Sequence, residues 1–358
     1  MSQRPARVAR AALTAAMVTG HTIRQVFDLP EMRAAFPDGV AAPVQYGPRL
    51  AAVVICLLHC QLLPEKRLAE VMADLFGVTL VPATIARMSR LCAERFAGFA
   101  EAVRDHVAAA PVRHMDETGL RIGGRTQWLH IASTVLLTFY RTSPKRGSLL
   151  ANVLGIVVHD HWKPYDTLSG VRHALCHAHH LRELQALVEI ETEGWARGMQ
   201  RLLRRTCHAG NLAGGQGVTL TPRLIARFER CYDAILAQGL AFHEAQPALR
   251  AAAGKARQRG RAPRRVGHNL LVRLRGRKPD VLRFLSDPDV PFTNNLAERD
   301  GRMMKLRRKI SGGVRSEDGA RDFAVIRTLL PTARKQGWNL LQAITADPTR
   351  LTAGIQAG

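Results

Sequence analysis

Three carboxylates stand out for the company they keep. Asp116 lies in "HMDETGLRI", Asp160 closes the apolar run of "VVHDHWKPY", and Glu298 sits in "PFTNNLAERDGRMMKLRRK", directly ahead of a dense run of Arg and Lys. Each has an ordinary structural reading. Asn295 and Glu298 have capping-box spacing, and Glu298 precedes Arg302 by one helical turn, a spacing worth a few tenths of a kcal/mol as an ion pair. Asp116 and Asp160 suit turns or caps. Brought together, the same three groups would do something else. Converging carboxylates hold hard divalent cations, here Mg²⁺ (or Mn²⁺), whose other ligands are water and substrate phosphate.

For that chemistry the fold must gather three distant positions. Between Pro111 and Gly147, three runs rich in β-branched and aromatic residues are separated by Gly123-Gly124 and by Ser133-Thr134. They predict an antiparallel three-strand meander with Asp116 in its first strand. "SLLANVL" then predicts a helix, and Ile156 to Val158 a strand buried on both faces that ends in Asp160. Acids at the carboxyl ends of buried strands line the crevice where open α/β sheets bind ligands. Three strands, a helix, a fourth strand and a late helix bearing an acid make the order of a ribonuclease H-like fold. The expected class is α/β: a ribonuclease H-like catalytic core with a helical insertion and an N-terminal all-α helix-turn-helix region. Two metal ions held by Asp116, Asp160 and Glu298 would activate an attacking oxygen and stabilise a leaving one in an in-line phosphoryl displacement.

Composition points to the partner. The chain has 358 residues, 46% of them hydrophobic, enough for two or three cores. It carries 52 Lys and Arg against 29 Asp and Glu, a net charge of +23 that calls for a polyanion. A GC-rich genome inflates Arg generally, but here the charge is clustered. Arg250 to Lys278 holds eleven basic residues and no acid, and Gly301 to Arg315 holds six and no acid. Clustering of this kind tracks a phosphate backbone. The six cysteines form no CxxC pair, which argues against a disulfide framework or zinc ribbon and for a reducing cytoplasm. "RLAAVVICLLHCQLLP" is too short and too interrupted for a membrane span and reads as a buried helix; the Arg-rich N-terminus only faintly imitates a signal peptide.

Within Leu62 to Phe96, helical spacing stops at Gly77 and resumes at Ile85, predicting a helix-turn-helix whose second helix presents Thr84, Arg87 and Arg90 to the major groove. Asp160 and Glu298 are 138 residues apart, and the Leu-, Ala- and Arg-rich chain from Leu181 to about Asp289 has helical periodicity, so a helical module is expected between them. Its basic tail, with Arg257, Arg259 and Arg261, is read as a DNA-gripping arm. Arg302, Lys305, Arg308 and Lys309 after the third acid are read as further phosphate contacts. "HALCHAHHLREL" offers His173, Cys176, His177, His179 and His180 as zinc ligands, with His173, His177 and His180 on one face if the segment is one helix. No second Cys/His cluster lies at finger spacing, so helix packing or phosphate contact is the preferred reading.

In this order the motifs "APVQYGPRL", "QLLPEKRLAEVMADLFG", "HMDETGLRI", "VVHDHWKPY", "HALCHAHHLREL" and "PFTNNLAERDGRMMKLRRKISGG", with "TARKQGWNL" at the end, resemble the DDE transposases of the insertion-sequence-66 type. The resemblance runs from about Val40 to Gly337. It implies cutting and joining of the ends of a mobile element, with Asp116, Asp160 and Glu298 as catalytic triad and metal ligands, acting on double-stranded DNA at terminal repeats and target. A homo-oligomer on DNA, accessory proteins of the same element, a cytoplasmic, nucleoid-associated location and no membrane complete the expectation. The implied divisions are an N-terminal region 1–48, a helix-turn-helix region 49–105, core 106–180, helical insertion 181–289, core 290–337 and a helical tail 338–358. One departure stands out. Family members carry a cysteine-pair zinc segment between an "LPE"-like element and "APVQYG", whereas here Leu29-Pro30-Glu31 runs almost directly to Ala42-Pro43-Val44, with no Cys before Cys56. This copy is expected to lack that zinc module and much of the N-terminal region, which bears on how it binds DNA ends. Two other readings are an inactive, DNA-binding remnant or repressor, and a ribonuclease H-like nuclease or resolvase that cuts without joining.

Overall fold

A computed structural model gives the fold; it describes residues 46–147, 150–247, 249 and 263–356, apart from the side chains of Lys305 and Arg308. The Leu29-Pro30-Glu31 element and Arg257, Arg259 and Arg261 lie outside the described residues. In chain order the elements begin with α1 (Pro48–His59), α2 (Glu65–Phe76), α3 (Pro82–Ala109), β1 (Val112–Ile122), β2 (Arg125–Ser133), β3 (Thr138–Ser143), β4 (Ile156–His159) and β5 (Arg172–Leu175). Helices follow: α4 (His177–Ile190), α5 (Gly194–Gly215), α6 (Pro222–Glu244), α7 (Val266–Gly276), α8 (Lys278–Ser286), α9 (Asn295–Ile310), α10 (Glu317–Lys335), α11 (Leu340–Thr345) and α12 (Pro348–Ala353).

The five strands form one mixed sheet in the order β3-β2-β1-β4-β5. β1, β4 and β5 run parallel, while β2 and β3 are antiparallel. Gly123 and Gly124 join β1 to β2 with φ of 54° and 78°, the two positive values that a two-residue hairpin turn needs to match strand twist. β4 is buried along its whole length, as a strand with parallel neighbours on both sides must be. Gly155 leads into it at φ 71°. A Cβ at Gly155 would stand 2.4 Å from the Pro111 carbonyl oxygen, so only glycine fits there.

Two expectations need correction. The helix read over "SLLANVL" does not form in its described part. Residues 150–155 carry no helix, and Asn152 and Gly155 take φ of 55° and 71°, a backbone tolerated at single positions but not in a run. The segment His173 to Leu184 is not one helix either. His173 belongs to β5, paired with Val157 of β4, and α4 begins at His177, so strand pairing overrides the local helical spacing.

Contact density divides the molecule into two compact units, with the boundaries inside β1 and α9. One unit takes in α1 to α3, β2, β3, the later parts of β1 and α9, and α10 to α12. Its helices α1 to α3 pack through Leu50, Val54, Leu68, Met72, Leu80 and Ile85. Gly77 ends α2 in the left-handed conformation at φ 63°, after which α3 runs for 28 residues, giving the helix, turn and helix expected from the spacing. The apolar segment after Arg49 is the buried helix α1, and among the described residues no helix is long and apolar enough to cross a membrane. In the same unit, Thr328 Oγ1 accepts from the Tyr140 N–H and Thr332 Oγ1 from the Thr138 N–H, both at 3.1 Å. The outermost strand β3 is thus covered by α10.

The other unit holds the start of β1, β4, β5, α4 to α8 and the first turn of α9. Leu184, Trp195, Met199, Leu203, Tyr232, Leu271 and Val281 form the centre of its helical core. Ile156, Val158, Ala174 and Val290 form a second cluster on the strands, and Phe284 of α8 packs against both.

Candidate active site

The parallel register decides where the first two acids fall. Val112, Arg113 and His114 stand opposite Ile156, Val157 and Val158. Two steps further, the same offset brings Asp116 level with Asp160. On the other side of β4, Ile156 to His159 stand opposite Arg172 to Leu175, and the next step brings Asp160 level with Cys176. Residues in one row of parallel strands project from the same face. That face carries the apolar cluster Ile156, Val158, Ala174 and Val290. At its carboxyl end the cluster gives way to half-buried Asp116, half-buried Asp160 and buried Cys176.

Asp160 is oriented by its own chain: Oδ1 accepts from the Trp162 N–H at 3.1 Å, the local turn that Asp favours. The turn role and a ligand role are compatible, since the bond fixes one oxygen and aims the other. Behind it, His159 Nε2 meets His173 Nδ1 at 3.0 Å and its ring stacks on Tyr165 at 4.5 Å. Burial pulls the His159 pKa down to about 3, with His173 pushing the same way. His159 is therefore neutral at physiological pH.

Glu298 is carried in by Asn294. This buried residue immediately precedes α9 and donates from Nδ2 to the Met115 carbonyl at 2.8 Å. Its Oδ1 meets His114 Nδ1 at 2.9 Å, its N–H donates to Cys176 Sγ at 3.1 Å, and its carbonyl accepts the Glu298 N–H at 3.2 Å. The first turn of α9 is thereby tied to β1 beside Asp116 and to the end of β5 beside Asp160. Glu298 Oε1 then lies 3.6 Å from Cys176 Sγ and 3.7 Å from His179 Nδ1. The capping-box reading fails because α9 already starts at Asn295, which is exposed, and the Glu298 carboxylate turns toward Cys176 and His179 instead. Burial, helped by the Glu298 charge, pushes the Cys176 thiol up to about 11 against the pull of nearby backbone N–H groups.

Neighbouring groups sort themselves out by contrast. Asp300 Oδ2 accepts from Ser133 Oγ at 2.8 Å, Thr138 Oγ1 at 2.9 Å and Lys335 Nζ at 2.9 Å, a structural anchor. Glu117 takes two bonds from Arg146, at 2.7 and 3.0 Å, on the face opposite Asp116 as strand alternation requires. By contrast, among the described residues neither Asp160 nor Glu298 has a Lys or Arg within 4.0 Å. In a chain of net charge +23, half-buried carboxylates with no Lys or Arg partner among the described residues are compatible with a bound metal ion.

The remaining expected residues are partly placed. Thr84 is half-buried on α3, and Arg87 and Arg90 are exposed, Arg90 lying 3.6 Å from Glu94. Arg302 and Lys309 are exposed on α9, whose backbone also carries Lys305 and Arg308. Arg307, from the same basic run, lies instead over the Phe323 ring at 4.0 Å, and burial draws it down to about 10. Of the histidines, His177 donates from Nε2 to the Val281 carbonyl at 2.7 Å and stacks on Phe292 at 4.3 Å, which is packing. Asn294 escaped the sequence reading, although "TNN" directly before a helix is a signal for a side chain with hydrogen-bonding work to do.

Comparison with known proteins adds two findings. The family model described as Transposase IS66 family matches residues 43–322. The uncharacterized protein y4jO of Sinorhizobium fredii (strain NBRC 101917 / NGR234) is 40% identical over 75 residues, which are 20% of this chain and 23% of that protein. The chain thus spans about a quarter of the length of that relative.

Proposed function

Because the chain belongs to the IS66 transposase family, we propose that it cuts and joins the ends of a mobile DNA element, with Asp116, Asp160 and Glu298 as its catalytic acids. The observation that carries this reading is the parallel register of β1 and β4, whose offset carried two residues past the last paired row would set Asp116 level with Asp160, together with the bonds of Asn294 to Met115 of β1 and to Cys176 after β5. The sheet order and the parallel β1, β4 and β5 support a ribonuclease H-like core. In this reading residues 106–180 and 290–337 make the core, and 181–289 is a helical insertion between the second and third acids.

Three carboxylates make an all-oxygen donor set suited to Mg²⁺ or Mn²⁺. Such ions supply charge stabilisation for the attacking and leaving oxygens of a phosphoryl transfer. The protein's part is positional. Asp116 and Asp160 present their oxygens from one face, the Trp162 N–H fixes Asp160, and Asn294 sets the approach of Glu298. Neutral His159 beside Asp160 adds no competing positive charge. Double-stranded DNA is held by Thr84, Arg87 and Arg90 of α3, by Arg302, Lys305, Arg308 and Lys309 of α9, and by the basic residues Arg257, Arg259 and Arg261. Action on two DNA ends implies a homo-oligomer, with accessory proteins of the element as further partners, in the nucleoid-bearing cytoplasm.

The test is incubation of the full chain with Mg²⁺ and DNA taken from both flanks of its own gene. Joined strand-transfer products are expected. Cutting without joining would identify a nuclease or resolvase instead, and end binding without cutting a DNA-binding remnant.

A further inference from the structure

We propose that Cys176, His179 and Glu298 form a binding site for a thiophilic divalent cation of the zinc class, distinct in its donors from the all-oxygen acids. One sulfur, one imidazole nitrogen and one carboxylate oxygen lie within 4.8 Å of one another. Zinc bonds of about 2.3 Å to sulfur and about 2.0–2.2 Å to nitrogen or oxygen, at tetrahedral angles, put ligand atoms roughly 3.3–3.6 Å apart. Glu298 Oε1 stands 3.6 Å from Cys176 Sγ and 3.7 Å from His179 Nδ1. The first falls at the upper end of that range and the second about 0.1 Å beyond it.

Two further contacts favour an ion. His179 Nδ1 is shut off from solvent and has no hydrogen-bond partner, although it faces a carboxylate oxygen; a shared cation satisfies both atoms. The Asn294 N–H, aimed at Cys176 Sγ from 3.1 Å, is the outer support that a metal-bound thiolate uses to hold its charge and direction. A sulfur donor selects zinc-class ions over Mg²⁺. Three protein ligands leave the fourth tetrahedral position open to water or a phosphate oxygen. The search for a finger from sequence fails here because the third ligand is a carboxylate 122 residues beyond the cysteine.

Glu298 is common to this site and to the proposed catalytic acids. To that extent the consequence rests on the catalytic reading: a zinc-class ion bound here withdraws the third acid from Asp116 and Asp160. The test reads metal binding rather than DNA cleavage, so the two readings fail separately.

Titration of the full chain with Co²⁺ should produce a thiolate-to-cobalt charge-transfer band and the visible bands of a tetrahedral ion, displaced by Zn²⁺ but not by a large excess of Mg²⁺. Cys176→Ser and His179→Ala should each remove the charge-transfer band or weaken binding roughly tenfold or more, while Asp116→Asn and Asp160→Asn leave it in place. His179 is half-buried, so its variant keeps the test open if the buried Cys176→Ser fails to fold. Absence of the band, or a band unchanged in His179→Ala, overturns the proposal. A cobalt signal lost in Asp116→Asn yet kept in His179→Ala places the ion among the acids and overturns it equally.

Discussion

The side-chain amide of Asn294 donates to the carbonyl oxygen of Met115 at 2.8 Å, and Met115 immediately precedes Asp116. The helix bearing one acid is thus pinned to the strand bearing another by a buried hydrogen bond. Asn294→Ala should lower stability by about 1–3 kcal/mol, the usual cost of losing buried polar partners. It should also slow cleavage while sparing binding to random DNA. Asn294→Asp should be worse than Ala, because it sets a carboxylate oxygen against the Met115 carbonyl. Thermal unfolding and a cleavage time course read both effects. Wild-type values for Asn294→Asp would sink the pinning role.

On the proposed mechanism, Asp116→Asn, Asp160→Asn and Glu298→Gln should each abolish strand cleavage and leave end binding nearly intact, since the amide keeps the shape but removes the charge that would hold a divalent ion. Ca²⁺ should support binding without chemistry. Glu117→Gln is the control. Its carboxylate bonds Arg146 rather than facing the row of acids, so it should cost about 1–3 kcal/mol of stability and spare cleavage. A dead Glu117 variant beside an active Asp116 variant would mean that the register is off by one.

His59 provides a pH test away from the acids. It is buried, its Nε2 meets Ser89 Oγ at 2.8 Å, and burial, reinforced by the charges of Arg307 and Arg327, holds its pKa well below 6.5. The unfolded chain therefore binds the proton more readily than the folded one. The stabilising contribution is complete above about pH 6.5 and is lost as pH falls below it, by at most about 1.4 kcal/mol per pH unit. Chemical denaturation at pH 7.5 and pH 5 should show a smaller acid penalty for His59→Gln than for the wild type. An equal penalty in both removes His59 from the account.

Recognition and grip should separate on DNA. Thr84→Ala or Arg87→Ala should weaken binding to the cognate end by about 1–3 kcal/mol if either reads a base edge. Neutralising Arg257, Arg259 and Arg261 should weaken binding to all DNA and flatten its salt dependence. Equal losses on cognate and random duplex for the α3 variants would leave them as phosphate contacts only.

What could be read from sequence follows from how local each signal is. The β1 to β2 hairpin was legible because Gly123-Gly124 has one favoured turn, and β4 because an apolar run ending in Asp160 suits few other settings. The α2 and α3 pair was legible from spacing broken at Gly77. β5 was not, since four residues hold too little alternation to outweigh the helical pattern that begins beside them. The acids could be nominated from their motifs, but whether Asp116 and Asp160 fall level depends on strand register, which is a tertiary fact. The same holds for Asp300 and Glu298. Two residues apart on one helix, one is bonded by Ser133, Thr138 and Lys335, and the other faces Cys176 and His179.

The threonines of α10 have a consequence for what can add to the sheet. An outermost strand normally offers its backbone to any passing chain, yet the Thr138 and Tyr140 N–H groups of β3 are already engaged by Thr332 and Thr328. That edge is closed to sheet extension from copy to copy. An arriving strand, whether from a second copy or an unfolded chain, finds those two donors occupied, and β3 gives it no ready seed for fibrils.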